Sequence, residues 1–471
     1  MAEVELDPDN LPQGDHEAHM GRSFMPTDGL SYDPTDEVYW DRGKMEIELE
    51  RAIEICHGCR MCFKYCSTFP ILFDAIDAEN GHVERLTVAT LDTALDACFQ
   101  CKLCEVQCPY TPREEHEFLL DFPALIHRRR AIDLKEKRVK PTFGDKLLAN
   151  PDRAGALARA SLGTANVAKK IKPLRVIQEK VIGIDRRYPQ PDFPRVPFAK
   201  RQKKAGHVVS APRPDDEAVL FPTCWVEHND PELGQDVMDV LAFNSCSTSC
   251  RDDVVCCGMP AWEQGDLETL VQKAERNIAA LLPHAEADQR ILVVNPTCSM
   301  MLRHEYPRLL PERLRDDAAK VAAQVRDVSE HLFERKKDGT LNTDYQSTPN
   351  GTVAYHAPCH LRAQGIGFRG RDLMRTIPGV KPRMTMECSG HDGTYGLKAK
   401  SWEDSKKVGK KAFDGMKGHD ADVWASDCPL SSVQFEQHTG RSALHPIQVL
   451  ARAIKPDGFP TRIVDGEVEQ T

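Results

Sequence analysis

The stretch ICHGCRMCFKYCSTFP, Ile55 to Pro70, carries four cysteines with two, two and three residues between them: Cys56, Cys59, Cys62 and Cys66. A second run, CFQCKLCEVQCPYTP, repeats that spacing at Cys98, Cys101, Cys104 and Cys108. Loops of the form C-x2-C-x2-C wrap three corners of a small metal-sulfur body without strain, so a fourth donor must come from elsewhere. Structural zinc usually takes paired C-x2-C knuckles separated by a longer loop, and three cysteines within seven residues, twice over, argue against it. Both runs are entered through helical patterns. Met45, Ile47, Leu49, Ala52 and Ile53 recur at mostly helical spacings ahead of the first, and LTVATLDTALDA reads as a helix leading into the second.

Outside these runs the composition is ordinary for a globular protein, and the 17 cysteines are its one outlier. A chain of 471 residues exceeds one ordinary core, so several domains are expected. No segment offers some eighteen uninterrupted apolar residues, and the N-terminus, MAEVELDPDNLPQGD, is acidic where a secretory signal is basic and then apolar. We expect a cytoplasmic chain, where clustered cysteines favour metal binding or catalysis over disulfides. Residues 1–44 read as an acidic irregular arm, and 45–125 as the small, mainly helical domain of the two runs.

The net charge of -10 conceals an asymmetry: 22 Lys/Arg against 7 Asp/Glu lie between His127 and Lys204. Residues 126–212 therefore read as a basic helical connector ending in the proline-punctuated linker RRYPQPDFPRVPFAKRQKK. It is either a solvated linker or a surface that meets anionic lipid or an acidic partner, such as the inner face of the cell membrane.

Beyond it the pattern becomes strands alternating with helices. AVLFPTC and RILVVNPTC read as buried strands, with DPELGQDVMDVLAF and WEQGDLETLVQKAERNIAALL as helices; TVAYHAPC, RDLMRTI, SWEDSKKVGKKAFDGM and DVWASDC repeat the order. Cys224, Cys256 and Cys298 answer to Cys359, Cys388 and Cys428 at an offset of about 130 to 135 residues. The C-terminal half is thus a duplicated α/β domain, 213–340 and 350–455, with cysteines ending strands where open α/β sheets place ligand groups. The overall class expected is a multidomain α+β chain.

The two N-terminal runs resemble a bacterial dicluster ferredoxin domain, in which the last cysteine of each run crosses to the other cluster. The resemblance implies one [4Fe-4S] cluster on Cys56, Cys59, Cys62 and Cys108, and a second on Cys98, Cys101, Cys104 and Cys66. Cys108 is followed by Pro109, as in that family, but Cys66 is followed by Ser67. His57 either bonds a cluster sulfur or is merely exposed.

In the duplicated half, Cys256-Cys257-Gly258 follows Cys224 after 31 residues. This resembles the cysteine-rich CCG domain found in heterodisulfide reductases, in the iron-sulfur component of glycolate oxidase and in the iron-sulfur component of anaerobic glycerol-3-phosphate dehydrogenase. The resemblance implies a third iron-sulfur centre on Cys224, Cys256, Cys257 and Cys298. The family's closing C-x-x-C is incomplete, with Met301 and Ser431 at its second positions, and the second copy reads Cys388-Ser389-Gly390. That copy keeps Cys359, Cys388 and Cys428, with His356 and His360 near enough in sequence to compete as donors. A cluster, a zinc ion or nothing remain open for it. Cys246 and Cys250 are extra to the pattern and read as free thiols or as further donors to the first copy.

The run GIGFRG from Gly365 satisfies a dinucleotide fingerprint, but it does not directly follow the strand TVAYH as such a loop must. No hydrolase motif is present and nothing beyond the connector suggests nucleic acid. The expected function is electron transfer within a multi-subunit oxidoreductase, by a chain with no catalytic residue of its own. The resemblance implies a flavoprotein dehydrogenase as donor and an acceptor such as a quinone. A heterodisulfide or thiol reductase and a zinc-held scaffold are the alternatives.

Overall fold

The computed structural model describes residues 23–469. The N-terminal arm as far as Arg22 lies outside the described residues.

The helix Arg42–Cys59 is capped by Asp41, whose carboxylate accepts from the Lys44 amide. It packs against Phe122–Lys135, and Met45, Leu49 and Ile53 share a core with Phe69, Leu72, Leu125, Ile126 and Ile132. Ile47, placed in this stripe by periodicity, is instead 55% exposed. The helix Phe122–Lys135 straddles the expected boundary at 125. Its buried Arg128 donates to the carbonyls of Gly29 and Tyr39, at 2.8 and 2.7 Å, pinning the segment before the first helix to this domain.

The duplicated half forms two parallel sheets. The first has the order β2-β1-β3-β4, with β1 Ala218–Phe221, β2 Thr248–Cys250, β3 Arg290–Val293 and β4 Val325–Asp327. A small antiparallel sheet sets β5 Ser347–Thr348 against strands described below. The second parallel sheet has β7 Lys381–Thr385 and β8 Val423–Ser426 flanking β6 Thr352–His356. β9 Thr461–Val464 pairs with both β5 and β10 Glu467–Val468. β1, β2 and β3 correspond to β6, β7 and β8, so the duplication read from cysteine spacing is a duplication of sheets. One core runs through both copies, joining Leu220, Val237 and Leu292 to Val353, Tyr355 and Ile447.

The helix expected from Trp262 is interrupted. It ends at Glu263 and restarts at Leu267, with Gly265 at φ +76° between. A Cβ there would stand 2.6 Å from the Ala131 nitrogen, so close approach of the Phe122–Lys135 helix requires glycine.

Candidate metal centres

The two N-terminal runs interleave in space. Cys56, Cys59 and Cys62 line one cavity together with Cys108. Cys98, Cys101 and Cys104 line another together with Cys66. Arg60, Gln100 and Lys102 turn the intervening loops inward from left-handed conformations, φ 53°, 62° and 59°. The cavities are neighbours, since Cys62 Sγ lies 3.8 Å from the Cys104 carbonyl.

Burial pushes the Cys62 and Cys66 thiols up to about 12 and Cys108 up to about 11. Thiolates here need a compensating cation, which a metal centre supplies. Some help is built in: the backbone amides of Thr68 and Phe69 point at Cys66, that of Leu103 at Cys101 and that of Tyr110 at Cys108. The departure at Ser67 has a structural reason, because the helix Thr68–Ala78 starts there and its first amides face the Cys66 sulfur. The donor sets and their amide surroundings fit iron-sulfur clusters. His57 is not exposed: it is buried, with Nε2 2.9 Å from Asp77 Oδ1.

In the first duplicated copy the cysteines follow the C-terminal ends of β1, β2 and β3, at Cys224, Cys256-Cys257 and Cys298. The four sulfurs form a continuous hydrogen-bonded row, Cys224 to Cys256 to Cys257 to Cys298. S–H donation from Cys224 and Cys257 holds Cys256 well below the ordinary thiol range against the effect of burial, and the two donors are correspondingly raised. Gly258 makes the turn at φ +87°, where a Cβ would meet Leu270 at 2.7 Å.

Nothing in the cysteine spacing hints that the connector covers this site. Asp152 accepts the Cys256 amide at 3.0 Å and pairs with Lys273 at 2.9 Å. Burial would raise Asp152, but the His228 ring at 3.6 Å and the bonded Lys273 ammonium outweigh it and hold the carboxyl at about 2. Met301, in the place of a closing cysteine, is buried in the copy's core. An open cavity of about 230 Å³ adjoins Cys224, His228 and Asp152.

In the second copy Cys359, Cys388 and Cys428 likewise follow β6, β7 and β8. Both positions where the family motif has further cysteines are serines, and Ser389 Oγ lies 3.0 Å from Ser431 Oγ. The two histidines named from sequence are placed differently. His356 donates from Nε2 to the Glu387 carbonyl at 2.9 Å and meets Ser426 at Nδ1, leaving neither nitrogen for a metal. His360 donates from Nε2 to the Gln100 carbonyl at 3.1 Å and meets Thr297 at Nδ1, yet its Nε2 is also 3.5 Å from Asp392 Oδ2, and the ligand atoms of Cys359, His360 and Asp392 all lie within 4.8 Å of one another. Asp392, which no motif marked, faces the thiols as well; its Oδ2 lies 3.9 Å from Cys359 Sγ. Burial, reinforced by nearby Glu263, pushes this carboxyl well above its usual range.

The second copy also adjoins the second N-terminal cavity. Phe99, Cys101, Cys388 and Tyr395 share one buried cluster, with the Phe99 and Tyr395 rings 5.1 Å apart. Cys359 is followed by His360, whose partner Thr297 precedes Cys298 of the first copy. Cys246 and Cys250 lie apart from the CCG row: Cys250 ends β2 in the buried core, and Cys246 faces His331.

Residues 218–303 and 353–436 both match the family of cysteine-rich CCG domains. The chain therefore carries two copies of the cysteine-rich CCG domain over those residues. It is similar to a component of the anaerobic glycerol-3-phosphate dehydrogenase of Escherichia coli K12, 26% identical over 70% of this chain and 81% of that protein. It is similar also to a component of the CoM/CoB fumarate reductase of Methanothermobacter marburgensis, 28% identical over 50% of this chain and 45% of that protein. Lactate utilization protein A of Bacillus cytotoxicus is 26% identical over 39% of this chain and 75% of its own length. Among the described residues no helix is long and apolar enough to cross a membrane.

Proposed function

We propose that this chain is an iron-sulfur electron-transfer subunit of a multi-subunit oxidoreductase. The observation that carries the reading is the pair of adjoining cavities, each lined by four cysteines drawn from both runs. Cys56, Cys59, Cys62 and Cys108 would hold one [4Fe-4S] cluster, and Cys98, Cys101, Cys104 and Cys66 the other. Cys224, Cys256, Cys257 and Cys298 would hold a third centre. Cys359, Cys388 and Cys428, with His360 or Asp392 as the further donor, would hold a fourth. When bound, such clusters accept and release single electrons.

The chain's own part is to bury the sulfurs, aim amides at them and place the sites in sequence. The order is first cavity, second cavity, second CCG copy, first CCG copy, through the Cys62–Cys104, Cys101–Cys388 and His360–Thr297 neighbours. A chain that only relays electrons needs a partner to supply them, and the similarity to a component of a dehydrogenase supports a flavoprotein dehydrogenase in that role. A quinone is the acceptor we propose.

The connector supports a membrane-facing placement. Leu174, Ile177 and Val181 stand exposed along one face of the helix Lys172–Ile182, and Leu162 is 91% exposed. The exposed Lys170 and Lys172 flank them in sequence, while Lys169 is paired with Asp192. Exposed apolar side chains rimmed by lysines are the pattern of a helix lying in an anionic lipid interface.

The test is anaerobic purification with iron and sulfide analysis and electron paramagnetic resonance. About eight irons are expected from the N-terminal pair, with about four more for each filled CCG centre, and reduced-cluster signals. Zinc in place of iron, with no signal on reduction, would overturn the reading in favour of a scaffold. The cavity beside Cys224 and the favoured Cys256 thiolate support a second reading, thiol or disulfide reduction at the first CCG copy. Turnover of a disulfide with an artificial electron donor distinguishes it from a relay.

A further inference from the structure

The first CCG sheet has a second cluster of donors, at the edge opposite the cysteine row. Glu217 immediately precedes β1, Cys246 lies two residues before β2, and His331 comes from the helix Val328–Lys337. Their ligand atoms all lie within 4.8 Å of one another. His331 Nε2 is 3.4 Å from Cys246 Sγ and 3.3 Å from Glu217 Oε1. Cys246 and His331 are buried, at 3% and 4% exposure, while the Glu217 side chain is 40% exposed and opens the cluster to solvent.

These separations are those of a metal's coordination edges. A tetrahedral zinc with bonds of about 2.3 Å to sulfur and about 2.0 Å to nitrogen and oxygen sets S and N about 3.5 Å apart, and N and O about 3.3 Å apart. We propose that Cys246, His331 and Glu217 form a zinc site with its fourth position open to water. On binding, the Cys246 S–H bond breaks, its proton leaves to solvent and an S–Zn bond forms; neutral His331 and the Glu217 carboxylate complete the protein's share. Thiolate and carboxylate together neutralise the dication. Arg335, which reaches both Glu217 oxygens at 2.9 and 3.0 Å, would orient the carboxylate through the oxygen the metal leaves free.

The site is independent of the iron-sulfur reading, since none of its residues lies in the cysteine row or in either N-terminal cavity. It would tie the starts of β1 and β2 to the helix that packs under both CCG copies.

The experiment uses the full chain with its iron content measured alongside. The protein is equilibrated with equimolar zinc chloride, freed of excess and analysed for zinc and iron, as wild type and as Cys246→Ala and His331→Gln. One zinc per chain is expected in wild type, with affinity lower by at least about tenfold in either variant at unchanged iron. Zinc near zero in wild type, or retained by both variants, overturns the proposal. Should a variant fail to fold, zinc X-ray absorption of the wild type decides: one sulfur with nitrogen or oxygen neighbours supports the site, and an all-sulfur or sulfur-free shell overturns it.

Discussion

Replacing Glu305 by Gln should loosen the grip between the eight-cysteine domain and the first CCG copy. Glu305 is fully buried and accepts from two cations that come from the two sides. Lys102, between Cys101 and Cys104 in the second run, is one; Arg308, one turn along at 2.7 Å, is the other. Burial alone would raise this carboxyl, but the two cations outweigh it and hold it well below the usual range. Removing one member of a buried ion pair costs roughly 3–5 kcal/mol, because the remaining charge is stranded. Here the stranding is incomplete: Arg308 keeps Asp121 at 3.0 Å, and Lys102 keeps Glu105 at 3.6 Å. The lower end, about 3 kcal/mol, is therefore the expectation, equivalent to roughly a hundredfold in rate.

A chain of several domains with bound centres does not unfold in one reversible step, so the appropriate quantity is the unfolding rate in guanidinium, followed by tryptophan fluorescence. The cycle is closed with Lys102→Met alone and combined with Glu305→Gln. The double variant should fall short of the sum of the single effects by at least about 1 kcal/mol. A change below threefold in Glu305→Gln, or additivity in the double variant, would show that the buried pair does not hold the domains together.

Other consequences follow from particular residues. Cys66→Ala should remove about four irons and the signal of the cluster on Cys98, Cys101 and Cys104, leaving the Cys56 cluster intact; loss of the Cys56 cluster alone would refute the crossed assignment. Asp327, buried with the Ser299 hydroxyl 3.0 Å from both its oxygens, is raised to about 7 chiefly by burial, against an unfolded value near 3.9. Its contribution to stability is therefore full below pH ~4 and is lost as pH rises toward 7, so Asp327→Asn should flatten the thermal midpoint across that window. Leu174→Glu with Ile177→Glu should lower flotation with phosphatidylserine-containing vesicles at least about tenfold without changing iron content; unchanged flotation would leave the connector a linker.

What the sequence revealed and what it hid divide along physical lines. Cysteine spacing is legible because short loops around a common centre impose it, and strand-ending cysteines are legible because parallel sheets put ligand groups at one edge. Long-range partners leave no such trace. Asp152 reaches Cys256 across 104 residues, and Asp392 reaches Cys359 from a loop with no motif. His356 and His360 both flank a cysteine, yet His356 ends a strand with its ring taken up by the Glu387 carbonyl and Ser426, whereas His360 keeps its ring within 4.8 Å of the Cys359 and Asp392 ligand atoms. The strands β2, β4 and β7 are hidden for a different reason: two have three residues, and β7 carries Pro382 within an exposed edge pattern.

The second CCG copy is the part whose role changes most once its surroundings are known. Taken alone, the loss of two motif cysteines suggests a relic. Yet Ser389 and Ser431 hydrogen-bond each other, so neither hydroxyl is stranded, and Cys359 and Cys388 stay packed against Cys101 and the Phe99–Tyr395 pair. In the proposed relay an electron leaving the second N-terminal cluster meets this copy before the first. Three thiolates with an imidazole or a carboxylate form a harder donor set than the four thiols of the first copy, and that non-sulfur position is the one an outside ligand would most readily contest. The first copy, with the solvent-open cavity beside Cys224, is then the terminus of the row, the place where electrons leave the chain.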